Sequence, residues 1–242
     1  MLFVRDMMIR QLFDRESSSY TYLLADLGTG DAALVDPVRD QVERDLRLVD
    51  ELDLTLRYVF ETHVHADHVT AAARIRDRVG ALTIGPAGGA DCVDEVVGQG
   101  DRIPLGGLEV EVLETPGHTA ESLSYRVGDD VFTGDTLLIR GCGRTDFQGG
   151  DPRALWRSIT EVLFALPNHT RVWPGHDYRG LSVTTIGEEK RHNPRLAGKS
   201  VDDFVAIMDG LGLAKPKLID VAVPANRACG EPSPAAPDNE PA

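Results

Sequence analysis

The chain has 242 residues and a formal net charge of −14 at pH 7, from 39 acidic and 25 basic side chains. That length buries a full core without disulfide or metal staples, and 42% hydrophobic with 26% charged residues is a soluble globular composition. A pI near 4.8 sets aside nucleic acid and anionic membranes as partners, since both are bound through basic stripes. The three cysteines, Cys92, Cys142 and Cys229, are odd in number, far apart and without a C-x-x-C pair. This pattern predicts no disulfide framework and no cysteine zinc site, and it suits a reducing compartment. The N-terminal MLFVRDMMIRQLFD has only short apolar runs, broken by Arg5, Asp6 and Arg10, so no secretory leader is expected. No later run approaches the roughly 18 apolar residues of a membrane span. The expected location is cytoplasmic.

Along the chain, Ser19 to Asp26 and Ala32 to Pro37 read as strands around a Gly28–Asp31 turn. Val42, Leu46, Val49 and Leu52 recur at helical spacing and predict an amphipathic helix over Val38 to Leu52. Leu54 to Thr62 reads as a strand and Val69 to Val79 as a helix stopped by Gly80. Short strands are expected near Leu82–Ile84, Leu108–Glu114, Leu123–Val127, Val131–Thr133 and Thr170–Trp173. Pro152 to Leu166 is a helix opened by proline, and Ser200 to Leu211 a last one, with Ser200 and Asp203 spaced as a capping box. Strands with inserted helices predict two packed sheets with helices outside. One catalytic domain is expected over residues 1–228. An acidic, Pro-rich tail over 229–242 carries no large apolar residue and is expected to be disordered.

The chemistry falls into four islands. ETHVHADH holds His63, His65, Asp67 and His68; TPGHT holds His118; FTGDT holds Asp135; WPGHDY holds His176. Each follows a predicted strand or sits in a Gly/Pro turn, so strands ending together would aim these groups at one point. In extended chain His63 and His65 leave on the same side, and Asp67 and His68 open the helix that follows. A single histidine is ordinarily a surface or satisfied core residue, but H-x-H-x-D-H with three further islands points to a metal. Mixed imidazole and carboxylate donors suit zinc, iron or manganese and not calcium. His169 and His192 match no island and are expected at the surface. Gly88-Gly89 lacks the Lys-Ser/Thr of a phosphate loop and reads as a turn.

The order H-x-H-x-D-H, G-H-T, G-D and G-H-D resembles the metallo-β-lactamase superfamily. That resemblance implies an αβ/βα sandwich, two mixed sheets with helices outside, with a metal site at one edge. Leu137 to Asp151 (LLIRGCGRTDFQGGD), PGHDYRG, EEKRHNPRL and IDVAVPANRACG further resemble the persulfide dioxygenases, also called sulfur dioxygenases. This resemblance runs from about Met8 to Gly230. It implies one iron(II) per chain, held by His63, His118 and Asp135, with His65, Asp67, His68 and His176 supporting it or forming an unfilled second metal position. Two histidines and one carboxylate leave three positions open, as in non-haem iron oxygenases.

The implied reaction converts glutathione persulfide, O₂ and water into sulfite and glutathione, with no organic nucleophile or general base beyond the metal site. A homodimer is the family expectation. Arg144 suits either the carboxylates of a glutathione moiety or a salt bridge to Asp146. Tyr178 resembles a tyrosine near the substrate sulfur, and Arg195 either lends charge to that pocket or packs. Cys142 reads as a small buried residue, and Trp156 and Trp173 as core. The rival reading is a binuclear hydrolase of the glyoxalase II type cleaving a glutathione thioester, for which the same seven ligands would hold two metals. GCGRTDFQ and VPANRACG weigh against it. A non-catalytic module is disfavoured by the intact ligand set.

Overall fold

In the computed structural model, which describes residues 7–230, alternation along the strands decides the layering. Strand β2 (Tyr20–Asp26) is buried along its whole length. Its Tyr20, Tyr22 and Leu24 face one core, whereas Leu23 and Ala25 face another, as the two-residue period of a strand requires. A strand buried on both faces must lie inside a layered sandwich.

Among the described residues, twelve strands make two six-stranded sheets. The first holds β1 (Met7–Phe13), β2, β3 (Asp31–Val35), β4 (Thr55–Phe60), β5 (Leu82–Pro86) and β6 (Glu95–Val97), in chain order. The second runs β12 (Thr184–Thr185), β11 (Arg171–Pro174), β10 (Asp130–Gly134), β9 (Leu123–Val127), β8 (Leu108–Glu114) and β7 (Arg102–Leu105). Both are mixed: β3–β4, β4–β5, β5–β6 and β10–β11 pair parallel, the rest antiparallel. Phe60, Ile84, Val110, Tyr125 and Phe132 fill the space between the sheets. Helices α1 (Val42–Glu51) and α2 (Ala72–Val79) cover the outer face of the first sheet through Val42, Val49 and Ile75. Helices α3 (Pro152–Arg157), α4 (Ile186–His192) and α5 (Val201–Asp209) cover the second through Leu155, Ile186 and Phe204. This is the expected αβ/βα sandwich.

Several expectations hold to the residue. Gly80 closes α2 in the left-handed region at φ 73°, where its missing Cβ costs nothing. Ser200 and Asp203 form the reciprocal capping box. His169 and His192 are exposed, and Cys142 is buried. The predicted helix from Pro152 is one helical run that changes pitch, α-helical to Arg157, then a π turn over Ser158–Val162 and a 3₁₀ turn over Leu163–Ala165. Helix α2 starts later than Val69, because Thr70 is tied into a bridge with Val38 and its hydroxyl accepts from the Ala72 N–H. Strands β1, β6, β7 and β12 and helices α4 and α6 (Ile219–Arg227) go beyond the sequence reading, which placed the last helix at Ser200 to Leu211. Thr185 and Glu188 carry the spacing that marks α4, since the Thr185 side chain caps the Glu188 N–H at 3.2 Å.

The cysteine expectation is corrected. Cys92 and Cys229, 137 residues apart in sequence, form a disulfide with their Cα atoms 6.0 Å apart. An odd count forbids pairing all three cysteines; it does not forbid one pair. The fold brings the loop between β5 and β6 against the end of helix α6 (Ile219–Arg227). Cys229 and Gly230, placed with the tail in the sequence reading, are buried. Residues 231–242, the rest of that tail, lie outside the described residues, as do residues 1–6.

Candidate metal centre

Four strand ends meet at one edge of the sandwich. Strand β4 runs into the first island, the β8–β9 turn carries His118, β10 delivers Asp135 and β11 delivers His176. His63, His118 and Asp135 each place a ligand atom within 4.8 Å of the others. His118 Nε2 stands 3.6 Å from Asp135 Oδ2.

Each of the three is held at one atom and free at another. The Thr62 hydroxyl donates to Asp36 Oδ2 (2.7 Å), so at 2.9 Å from His63 Nδ1 it can only accept. His63 is therefore protonated at Nδ1 and offers the Nε2 lone pair. Burial, reinforced by the neighbouring His65 and His118 rings, holds His63 well below the usual imidazole range and keeps it neutral. The Arg144 carbonyl accepts from His118 Nδ1 at 2.7 Å, which sets the same tautomer there. Asp135 Oδ1 accepts from His176 Nδ1 at 2.6 Å, leaving Oδ2 toward the histidines. Burial opposes ionisation of Asp135, yet the charge and hydrogen bond of His176 outweigh it and hold the carboxyl below its ordinary range. Two imidazoles with oriented ring nitrogens and one carboxylate fit a divalent metal, and the backing hydrogen bonds are those that orient metal ligands.

The other island residues are placed differently. His65 adjoins His63, ring centroids 4.2 Å apart, but points its Nε2 to Asp36 (3.2 Å) and Glu61 (3.5 Å). Burial disfavours its charge, and the two carboxylates more than offset that, raising its pKa well above the ordinary value. The island is an irregular bend and not extended chain, yet the His63 and His65 rings lie side by side as expected, with different hydrogen-bonding surroundings. His176 bridges Asp135 and Asp67 through both ring nitrogens, the second at 2.9 Å, and those carboxylates raise its pKa despite burial. Asp67 Oδ2 also meets His68 Nδ1 at 2.9 Å. His65, Asp67 and His68 form a further grouping within 4.8 Å.

Close approach explains one glycine. A Cβ at Gly143 would stand 2.7 Å from His118 Nδ1 and overlap the Asp135 carbonyl. Gly143→Ala should displace both ligands, lowering metal affinity roughly 10–100-fold, read by metal titration with circular dichroism as the folding check.

The substrate residues named from the sequence fall at the rim or behind it. The Arg144 guanidinium pairs with both oxygens of Asp146 (2.6 and 2.7 Å), donates to the Leu213 and Ala214 carbonyls, and lies 4.6 Å over the Phe147 ring. Arg195 donates to the Cys142 carbonyl at 2.7 Å. Tyr178 is 74% exposed and stacks on His176 at 6.0 Å. Sequence reasoning missed Thr62, Asp36 and the Arg144 carbonyl; a threonine directly before the first histidine was the available signal for Thr62.

Similarity to known proteins defines the family. A family model for the metallo-β-lactamase superfamily matches residues 14–91 and 90–176, the class that the sandwich and its edge site define. Persulfide dioxygenase ETHE1 of Mus musculus is 44% identical over 231 residues, covering 94% of this chain and 90% of its own. The human protein of the same name is 43% identical, covering 95% and 91%. The crystal structure of ETHE1 from Myxococcus xanthus superposes with a TM-score of 0.92 at 59% identity, covering 93% of this chain and all of that one. The chain belongs to the persulfide dioxygenase family within the metallo-β-lactamase superfamily. Among the described residues, no helix is long and apolar enough to cross a membrane.

Proposed function

We propose that this protein is an iron(II)-dependent persulfide dioxygenase that converts glutathione persulfide, O₂ and water into sulfite and glutathione. The observation that carries this reading is the pair of histidines with fixed tautomers facing one anchored carboxylate. Bound iron(II) would supply binding positions for both reactants and a route for electrons from the outer persulfide sulfur to O₂. His63, His118 and Asp135 would hold it, with Thr62, the Arg144 carbonyl and His176 fixing their orientation. Holding both reactants at one point replaces a chance encounter of several species. His176, with its two ring nitrogens on Asp135 and Asp67, links the trio to the rest of the first island. Arg144, whose three guanidinium nitrogens all meet protein acceptors, orders the loop that carries Gly143, and Arg195 braces the same loop through Nη1 and keeps its remaining donors for the substrate.

Tyr178 is the exposed aromatic beside the site, and we assign it to the thiol portion of the substrate. Tyr178→Ala should raise KM for glutathione persulfide roughly 2- to 12-fold, the equivalent of an aromatic contact of about 0.5–1.5 kcal/mol, with a smaller change in kcat. The reading itself is tested with an oxygen electrode. Anaerobically iron-loaded protein should take up O₂ on addition of glutathione persulfide and release matching sulfite. Zinc-dependent hydrolysis of a glutathione thioester, without O₂ uptake by the iron form, would favour the binuclear hydrolase instead.

A further inference from the structure

The stretch IDVAVPANRACG has no part in the chemistry above, yet its end is packed against the metal loop. Helix α6 presents Asn226, which is 3% exposed. Its Oδ1 accepts from the Thr70 N–H at 2.8 Å, and its Nδ2 donates to the His65 and His68 carbonyls, each at 2.8 Å. One side chain thus satisfies three backbone groups on the turn that follows His63, and no water is needed to complete them. The following residues continue the contact. The Cys229 carbonyl accepts from the Ala73 N–H at 3.0 Å, and a Cβ at Gly230, φ 87°, would overlap the Thr70 carbonyl. From the other side, the Arg227 carbonyl accepts from the Asp91 N–H at 2.9 Å, and Cys229 is bonded to Cys92.

We propose that Asn226 is a positioning residue that holds the His65–Thr70 turn, and through it His63, in ligating form, with the Cys92–Cys229 disulfide as the clasp that keeps α6 seated. The reasoning is geometric. The turn is irregular backbone, so its carbonyls and N–H groups find no partners in a helix or sheet ladder. Without the amide, buried peptide groups at His65, His68 and Thr70 lose their partners, and the turn must shift to regain them. Two covalent steps separate His63 from His65, so such a shift reaches the metal ligand. The disulfide joins α6 to the β5–β6 loop of the first sheet, which fixes the helix that carries Asn226 without touching the site itself.

The role in ligation rests on the metal-centre reading, and two readouts keep the two apart. The first is the rate at which iron(II)-loaded protein loses iron to excess chelator, well below its unfolding temperature. The second is amide hydrogen exchange over residues 63–70 in the metal-free protein. Asn226→Ala should lose iron roughly 10–100-fold faster, the range for residues that orient ligands, with faster exchange over 63–70. Asn226→Leu keeps the branched shape but lacks both donors and the acceptor, so it should follow Asn226→Ala; a mere packing role would leave it near wild type. Cys92→Ser removes the clasp and should raise exchange in 219–230 and 63–70 together, which tests the clamp even if the Asn226 variants do not fold. Wild-type iron retention and exchange in folded Asn226→Ala would overturn the proposal, as would a Cys92→Ser protein whose α6 loosens while 63–70 does not. Failure of wild type to bind iron would overturn the metal-centre reading and the ligation role with it, leaving the exchange data to decide the clamp alone.

Discussion

Asp135→Asn is expected to yield a folded protein that retains almost no iron and consumes no oxygen with glutathione persulfide. The substitution preserves shape and removes the one anionic donor of the trio. The asparagine carbonyl can still accept from His176 Nδ1, which donates to Asp135 Oδ1 at 2.6 Å, so the loop after β10 keeps its anchor. What it loses is charge facing His118 Nε2, 3.6 Å from Asp135 Oδ2. Residues that only orient ligands cost about 10–100-fold in affinity or activity when removed, and loss of a ligand's charge should exceed the upper figure. Metal analysis after desalting, with oxygen uptake on the same sample, checks this. A variant that keeps iron and activity within tenfold of wild type would remove Asp135 from the ligand set.

The largest stability effect should come from Glu189→Ala, a residue far from the reaction. Glu189 is fully buried and accepts from the Arg140 backbone N–H (2.8 Å), the Arg140 guanidinium, the Thr184 hydroxyl (2.8 Å) and the Asn193 amide (2.9 Å). Arg140 sits at φ 58°, an uncommon backbone conformation for a side chain of its size, and this network holds it there. Arg140 is 27% exposed and also meets Glu188, so the cost lies in the Thr184, Asn193 and Arg140 N–H donors left without an acceptor, about 3–5 kcal/mol together, or roughly 6–20 °C in Tm for a domain of this size. Glu188 contacts the same arginine from a 41% exposed side chain, and Glu188→Ala should cost under about 1 kcal/mol. Calorimetry on the two variants decides it; equal losses would contradict the buried-network account.

These two residues also show why the motifs around the site matter. Glu189 and Asn193, in EEKRHNPRL, hold the loop that begins at Leu137, the second through the Gly141 carbonyl at 3.0 Å. Arg195 holds Cys142. The loop they brace carries Gly143 and the Arg144 carbonyl, which set His118. Motif residues that suggest substrate contacts in one dimension also brace the ligand loop in three.

What could be read from the chain alone follows a physical line. β-forming residues beside the Gly28–Asp31 turn mark β2 and helical spacing marks α1, and both appear as expected. The ligands were legible because metal chemistry restricts them to a few residue types, and because each follows a strand or sits in a glycine- or proline-containing turn. Their backing was not: a threonine hydroxyl, an aspartate 27 residues away and a backbone carbonyl carry no signature in composition or spacing. Helix α6 was hidden by Pro224 inside it, a residue that ordinarily argues against a helix. The Cys92–Cys229 bond joins positions whose proximity exists only after folding, and so cysteine counting led to the wrong expectation.

The most direct test of the account is a titration of metal-free protein with iron(II) under anaerobic conditions. Each point is assayed for bound iron and then for O₂ uptake and sulfite formation with glutathione persulfide. Activity should rise in proportion to iron and stop at about one iron per chain, with O₂ consumed and sulfite formed in step. Activity that appears only as a second metal binds, or full iron loading with no O₂ uptake, would contradict it.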